Sequence, residues 1–442
     1  MENYNEMLKD INVNVNLDVE LSDSQKIGFD LFIKGKSIFI TSSAGCGKSF
    51  LLKEFSKEKN VILTSTTGVS AYNINGMTIH SFLGINTGAE KIDFLINRIM
   101  TNKNAKKRIE KAQILVIDEI SMMSAELFEK IDNIFKYFKR NNSFFGGIQL
   151  ILTGDLLQLL PVFKTSIVSE NLDTRLIINS KLFSENFSKK NIVVLKKNFR
   201  QDESEILFIQ MLNRIRIGKI SDSDISLLNE KCKEFKKNTN FIVPETVSLV
   251  SSNKKANEIN SKKMKKLSSN EFSYSSTFSR KGKNKETLDL LEKELKLQFT
   301  QKGLLNLNFK KGSRVMLIKN LDTENGLING STGTILDILK SPTVQFDNGI
   351  TRNMTPEDFE IKLNGNTVVG KQIPLILAFA ITIHKSQSLT LDNAILDLSD
   401  CFTYHMVYVA LSRVISLKNV YLKSFNHKKI MVHPEMAAFY LE

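Results

Sequence analysis

The chain has 442 residues, 42% of them hydrophobic and 24% charged, and carries a formal net charge of +14 at pH 7. That length allows two or more domains with their own cores, and the composition is that of a soluble globular protein, which excludes a low-complexity or membrane-embedded chain. The positive excess points to an anionic partner, nucleic acid or a membrane surface, against the plainer reading of a solvated lysine-rich exterior.

Three cysteines, Cys46, Cys232 and Cys401, stand far apart, and the five histidines show no metal-site spacing. A disulfide scaffold and a zinc centre are therefore not expected. The stretch MENYNEMLKDINVNVNLDVE has no secretory pattern, and the longest apolar window, residues 373–383, is too short to span a bilayer. A soluble intracellular protein in a reducing compartment is expected.

In chain order, SIFIT (37–41) reads as a buried strand and KSFLLKEF (48–55) as the start of a helix. The turn between them lies where unpaired N–H groups and the helix dipole favour an anion. Gly45 and Gly47 let the backbone curl, so that successive amides of Ser43, Ala44, Gly45, Cys46 and Gly47 converge on phosphate oxygens. Lys48 supplies charge to the outer phosphates of ATP, and Ser49 a hydroxyl to Mg2+. Ser42 fills the first glycine position of the G-x-x-x-x-G-K-[ST] pattern, where a small residue suffices if φ stays negative.

A second strand, VILTST (61–66), leads into TSTTGVSAYNINGMTIHSF (64–82). Its hydroxyls (Thr66, Thr67) and the His80–Phe82 pair are candidates for gripping nucleic acid, through phosphates and through stacking without base readout. The strand ILVIDE (114–119) ends in Asp118, placed to hold magnesium, and Glu119, placed to orient and deprotonate a water. The helical pattern MMSAELFEKIDNIFKYF (122–138) follows, then a strand, LILTGD (150–155), before Gln158. Gln158 is a sensor of the terminal phosphate or merely a loop glutamine. Residues 20–190 thus read as an α/β doubly wound domain.

Arginine is scarce, eleven against fifty lysines, which singles out Arg200 in KKNFRQ and Arg413 in YVALSR. A rigid two-pronged donor reaching across a domain cleft would stabilise charge on a transferred phosphate; an ordinary ion pair is the alternative. The serine-rich stretch 254–286, with ten basic and three acidic residues, reads as a mobile loop or irregular helices. Strands TVSLVSS (246–252), LILAFAITI (375–383), NAILDLS (393–399) and NVYLKSF (419–425) suggest a second α/β domain over 191–304 and 371–442. Turn glycines at close intervals between them suggest a small antiparallel β-barrel inserted near 305–370. AITIHKSQSLT (380–390) adds His384, Lys385, Ser386 and Thr390 as nucleic-acid candidates on the second domain.

The ordered set LSDSQ, TSSAGCGKS, TSTTGVSAYNINGMTIHSF, IDEISMM, GGIQLILTGDLLQLLPV, NFRQ, VMLIKNLD, NGSTG, IPLILAFAITIHKSQSLTLD and YVALSR resembles the PIF family of DNA helicases, superfamily one, related to RecD. The resemblance runs over about 420 residues. It implies two RecA-like P-loop NTPase domains, a small wedge insertion at 84–112, and a barrel lying over the DNA path. It further implies ATP-driven 5′-to-3′ movement along single-stranded DNA, unwinding of forked or tailed duplex, quadruplex DNA as a further candidate substrate, and a monomeric motor. The compartment would be cytoplasm or nucleoid in a prokaryote or virus-infected cell, nucleus or mitochondrion in a eukaryote. By the same likeness Gln25 contacts adenine. The chain departs from the family pattern at Ser42 and Cys46, at Leu160, where a proline is common, and at Phe379, where tryptophan is frequent. Ser388 stands in place of the glycine after HKSQ, and His405–Met406 in place of Gly–Gln.

Overall fold

The computed structural model describes residues 21–161, 176–201, 203–237, 246–322, 325–327, 330–363 and 366–441. The amino-terminal stretch read as lacking a secretory signal, and the outermost domain limits at 20 and 442, lie outside the described residues.

The first domain is built on six parallel strands: β1 (Ile38–Thr41), β2 (Ile62–Ser65), β3 (Met77–Thr78), β4 (Ile114–Asp118), β5 (Gln149–Gly154) and β6 (Ile192–Val194), in the order β3-β2-β4-β5-β1-β6. Strands β1, β4 and β5 are buried nearly throughout because helices cover both faces of the sheet, which is why they read as continuous apolar runs. On one face Phe32 and Phe55, from helices Asp23–Ile33 and Lys48–Glu58, stack at 4.1 Å between ring centroids. On the other face helix Ala125–Lys139, started by the Ser124 side chain accepting from the Leu127 amide, buries Phe128, Ile131, Ile134, Phe135 and Phe138. Apolar residues at that helical spacing produce a single inward stripe. Residues 84–112 contribute helices Ile92–Thr101 and Lys103–Lys111, whose Leu95, Ile99, Ala105 and Ile109 join this same core.

Strand β7 (Ser248–Val250) opens the second domain. The insertion then begins well before residue 305: β8 (Glu271–Ser275) and β9 (Thr277–Lys281) pair with β10 (Asn306–Lys310) and with β16 (Asn366–Gln372) respectively. β16 also pairs with β15 (Glu357–Leu363), while β11 (Arg314–Leu317), β12 (Thr332–Ile338), β13 (Pro342–Phe346), β14 (Thr351–Asn353) and β17 (Leu375–Leu377) form a five-stranded sheet ordered β14-β13-β12-β11-β17. These antiparallel sheets share one core with helix Lys285–Lys302, centred on Leu295, Phe299, Phe309, Val315, Val344 and Phe346. The second domain closes with β18 (Ala380–Thr382), β19 (Ala394–Asp397) and β20 (Val420–Ser424), giving a parallel sheet ordered β18-β7-β19-β20.

Four further expectations are revised. The run 375–383 is two strands, not one: β17 serves the antiparallel sheet and β18 the parallel sheet, because apolar composition records burial but not which sheet accepts the strand. The basic stretch 254–286 is ordered: helix Asn253–Lys266 buries Ala256, Asn260 and Met264, pairs half-buried Lys255 with Asp397 and Asp400 and leaves its other lysines outward, and β8 and β9 follow. Strand β6 carries the first sheet past residue 190. Helix Pro434–Leu441, expected in the second domain, buries Met436 in the first-domain core and sets Phe439 at 6.1 Å from Phe39. No helix among the described residues is long and apolar enough to cross a membrane.

Candidate active site

Parallel strands in register deliver their carboxyl ends to one edge of the sheet, and ligands of open α/β folds bind there. Thr41 pairs with Gly154, and Ser65 with Asp118, so the glycine-rich loop, the Asp118–Glu119 pair and the Asp155–Gln158 segment emerge side by side. They line one cleft of about 560 Å³ that includes Ala44, Gly45, Cys46, Gly47, Lys48 and Ser49. Arg200, against the loop, and Ser388, Thr390 and Arg413, from the carboxyl-terminal part of the chain, line the same cleft.

Gly45 and Gly47 have φ of +85° and +78°, the left-handed region where a side chain is strained. A Cβ at Gly45 would also lie 2.6 Å from the Cβ of Arg200, so that arginine approaches the loop only because the glycine is bare. Six described non-glycine residues have positive φ and Ser42 is not among them, so it meets the condition set for that position. Its hydroxyl accepts from Lys48 Nζ at 2.8 Å, and the carbonyls of Ser42 and Ser43 accept from the same ammonium at 3.1 and 3.2 Å. The Ala44 amide is already donated to the Tyr408 hydroxyl at 3.0 Å, so it is not free to meet a phosphate in this state, and the Ser43 hydroxyl lies 3.2 Å from Cys46 Sγ. Gln25 is buried outside the cleft wall: its Oε1 accepts from the Ser22 amide at 2.9 Å, capping a helix, and its Nε2 donates to the Gly47 carbonyl at 3.3 Å.

Asp118 is 4% exposed, and its carboxylate accepts from the Ser70 hydroxyl at 2.6 Å and from that of Thr153. Burial, then the adjacent Glu119 charge, push its pKa up to about 6 despite those bonds. A buried carboxyl beside a second one is a place where a cation is favoured. The hydroxyl of Ser49 and the carboxylate of Asp118 are hard oxygen donors in the same cleft, and that donor set fits a magnesium ion, which keeps waters and phosphate oxygens as its other ligands. Glu119 has φ +54° and ψ +48°, and its carbonyl accepts from the Thr66 hydroxyl at 2.9 Å. Among the described residues the Oε1 of buried Gln158 finds no hydrogen-bond donor although the residue lines the cleft, a placement suited to accept from a water while its Nε2 faces a phosphate oxygen.

Arg413, fully buried at the end of helix Met406–Leu411, donates to the carbonyls of Val409 and Leu389 and to the Ser412 hydroxyl. Burial and the nearby Arg200 push its pKa down to about 10. Arg200 donates to the Ser412 carbonyl at 2.8 Å, and among the described residues neither arginine has a carboxylate within salt-bridge distance. Two close cations held by carbonyls form a receptor for concentrated negative charge.

Beneath the cleft lies a network that the sequence did not disclose. Asp155, fully buried, accepts from Arg216 at 2.7 and 3.0 Å and lies 3.4 Å from the Tyr408 and Tyr440 hydroxyls. Burial alone would raise its pKa, but the guanidinium holds it below the usual carboxylate range. Through Tyr408 to Ala44, and through Tyr440 to Thr41, the network ties both later segments to the phosphate loop. Phe199 was also missed: half exposed, its ring lies beside Gly47 and lines the cleft.

The nucleic-acid candidates divide. Phe82 is 1% exposed, stacked near Phe135 in the first-domain core, and cannot meet a base; Ser386 is fully buried with its hydroxyl donated to the Ile383 carbonyl. Both were chosen by residue type, which does not say which way a side chain faces. Thr66 supports Glu119, Thr67 accepts from the Ser70 amide, and His80 is half-buried with its pKa pushed down by burial. His384 is likewise half-buried and shifted down. Lys385 and Thr390 are exposed: Lys385 lines a basic cleft of about 580 Å³ with Lys265, Lys302 and Lys310, and Thr390 a cleft of about 960 Å³ with Asn73, Arg314 and Ser388.

A PIF1-like helicase family model matches residues 20–226, and a model of the DNA helicase Pif1 2B domain matches residues 291–338. The chain is 30% identical to the ATP-dependent DNA helicase Pif1 of Bdellovibrio bacteriovorus, over 96% of this chain and 92% of that protein. It is 31% identical to the ATP-dependent DNA helicase PIF1 of Emericella nidulans over 92% of this chain, but spans only 61% of that protein's length. The crystal structure of Pif1 helicase from Candida albicans superposes with a TM-score of 0.82 at 31% identity, covering 96% of this chain and 99% of that one. A Bacteroides Pif1 helicase in complex with ADP-AlF3 and single-stranded DNA superposes at 0.72 with 29% identity, covering 96% of each. With two parallel sheets closing on one phosphate loop, an antiparallel insertion in the second, and a bacterial relative at 30% identity matched over 92% of its length, the chain belongs to the PIF1-like helicase family.

Proposed function

We propose that the chain is a DNA helicase that hydrolyses ATP to move 5′-to-3′ along single-stranded DNA and to open duplex ahead of it. The observation that carries this reading is the shared cleft: Lys48, Ser49, Asp118 and Glu119 on one wall and Arg413, from the other parallel sheet, on the opposite wall. A nucleotide held by both walls draws them together and hydrolysis releases them, so binding energy becomes relative motion of two domains. Polarity and the choice of DNA rest on kinship with relatives of that name.

In this reading the amides around Gly45 and Gly47 and the Lys48 ammonium hold the β- and γ-phosphates, with Lys48 trading the Ser42 hydroxyl and two loop carbonyls for phosphate oxygens. Ser49 and Asp118 would hold magnesium, which when bound neutralises phosphate charge and orients the γ-phosphate. Glu119 orients and takes a proton from the attacking water, Gln158 bonds the terminal phosphate, and Arg200 and Arg413 stabilise the charge of the transferred group. Phe199 and Gln25, which both approach Gly47, meet the adenine, the ring by stacking and the amide by hydrogen bonding. The helices within 84–112 serve as the wedge, and Lys385 and Thr390 line the path of the strand. Tailed and forked duplexes are the substrates, with quadruplex DNA a further candidate, and a monomer inside the cell is the working unit.

The test is ATP turnover with and without single-stranded DNA. DNA should stimulate turnover strongly, and Lys48→Ala should abolish both hydrolysis and unwinding. Turnover indifferent to DNA would defeat the reading.

A further inference from the structure

Ser388 occupies a backbone conformation that calls for glycine, with φ of +69°. The strain has a use. The Ser388 hydroxyl donates to Glu119 Oε1 at 2.7 Å, across 269 residues of sequence, and Gln387 Nε2 donates weakly to Oε2 at 3.3 Å. Both oxygens of the carboxylate that must accept a proton from water are therefore engaged by the second domain. A glycine at position 388 would keep the loop's path and lose the shorter of these bonds.

Ser388 also stands on the wall shared by two cavities. It lines the nucleotide cleft with Glu119 and Arg413, and it lines the adjoining cleft of about 960 Å³ with Thr390, Arg314 and Asn73. Asn73, from the first domain, donates to the Ser388 carbonyl at 3.3 Å. The loop is thus held in its present place by first-domain groups on both sides, and anything that fills the larger cleft presses on it.

We propose that Ser388 is a positioning residue that parks Glu119. Donated from the second domain, its hydroxyl holds the carboxylate away from water until a nucleic-acid strand enters the adjoining cleft and shifts the loop, so ATP turnover without DNA is held down. This rests on the reading of Glu119 as the base of an ATPase. A hydroxyl that merely ties two domains together would affect stability and leave the ratio of DNA-stimulated to DNA-free turnover unchanged.

The test is steady-state ATP hydrolysis by the full chain, with and without saturating oligothymidylate, for the unaltered protein, Ser388→Gly and Ser388→Asn. Glycine suits the positive φ, so that variant folds while lacking the donor. Losing one hydrogen bond to a parked carboxylate should raise DNA-free turnover roughly three- to tenfold, with DNA-saturated turnover changing by less than about twofold. Asparagine tolerates the left-handed conformation and offers an amide donor, so Ser388→Asn should return DNA-free turnover toward the original value. Unchanged or lower DNA-free turnover in Ser388→Gly, or an asparagine variant that behaves like glycine, would overturn the inference and leave the ATPase reading standing. An unaltered protein with no turnover in either condition would overturn both.

Discussion

Replacing Asp155 by alanine should unfold the first domain more easily by an amount the structure lets one work out. The carboxylate is fully buried and Arg216 is 12% exposed at its side chain, so the pair is far from the screened surface case. Two Arg216 bonds of 2.7 and 3.0 Å and the Leu157 amide at 3.1 Å satisfy the carboxylate. Removing it strands a guanidinium that has no other carboxylate partner among the described residues, which costs about 3–5 kcal/mol. With a denaturant slope of about 2.5 kcal/mol per molar, the urea midpoint of that domain falls by about 1–2 M. The chain has no tryptophan, so far-ultraviolet circular dichroism is the probe of choice. At neutral pH Asp155 is charged, because the arginine holds its pKa low; its stabilising share is present above the ordinary aspartate range and is lost as pH falls through the depressed value. Asp155→Leu combined with Arg216→Met, which removes both charges, should recover at least about half of the loss. A single-variant loss under about 1 kcal/mol, or a double variant no better than the single one, would refute this reasoning.

Three further outcomes follow. Asp118 has its pKa raised to about 6, so the native state binds an extra proton between the unfolded value and that one; its contribution to stability is greatest at low pH and declines as pH rises through the window. Thermal melts of the nucleotide-free protein and of Asp118→Asn between about pH 4 and pH 7 should differ by an amount that changes by up to about 3 kcal/mol. Gly45→Ala should lower ATP turnover by about tenfold or more, because its Cβ collides with Arg200 and φ is +85°; turnover near the original value would contradict that placement. Phe82→Ala should cost about 3–5 kcal/mol in denaturant melts, as a core aromatic does, whereas a surface stacking residue would cost almost nothing.

Local signals made the phosphate loop and the acid pair legible. A strand, a glycine turn and a helix follow one another within residues 38–58, and Asp118 closes an apolar run, so each residue's place at the sheet edge follows from its neighbours in sequence. Arg413 was legible for another reason: in a lysine-rich chain an arginine marks a need for its geometry. What stayed hidden depends on contacts between distant residues. Nothing near Tyr440 or Asp155 announces that they meet, 285 residues apart, nor does the sequence around Ser388 name Glu119 as its partner. Ser388 and His405, both in place of family glycines, keep positive φ of 69° and 64°, so these departures preserve the backbone and alter only what the side chain can touch. Misreadings came from side-chain direction, as for Phe82 and Ser386, and from an apolar run divided between two sheets at 375–383.

Strand separation measures the central claim most directly. Duplexes with a 5′ single-stranded tail, a 3′ tail or none are incubated with magnesium and ATP, using the unaltered chain and Arg413→Ala. The account predicts that only the 5′-tailed duplex opens, that opening requires ATP, and that Arg413→Ala binds DNA yet neither turns over ATP nor separates strands. Opening from the 3′ tail alone, or full activity in Arg413→Ala, would contradict it.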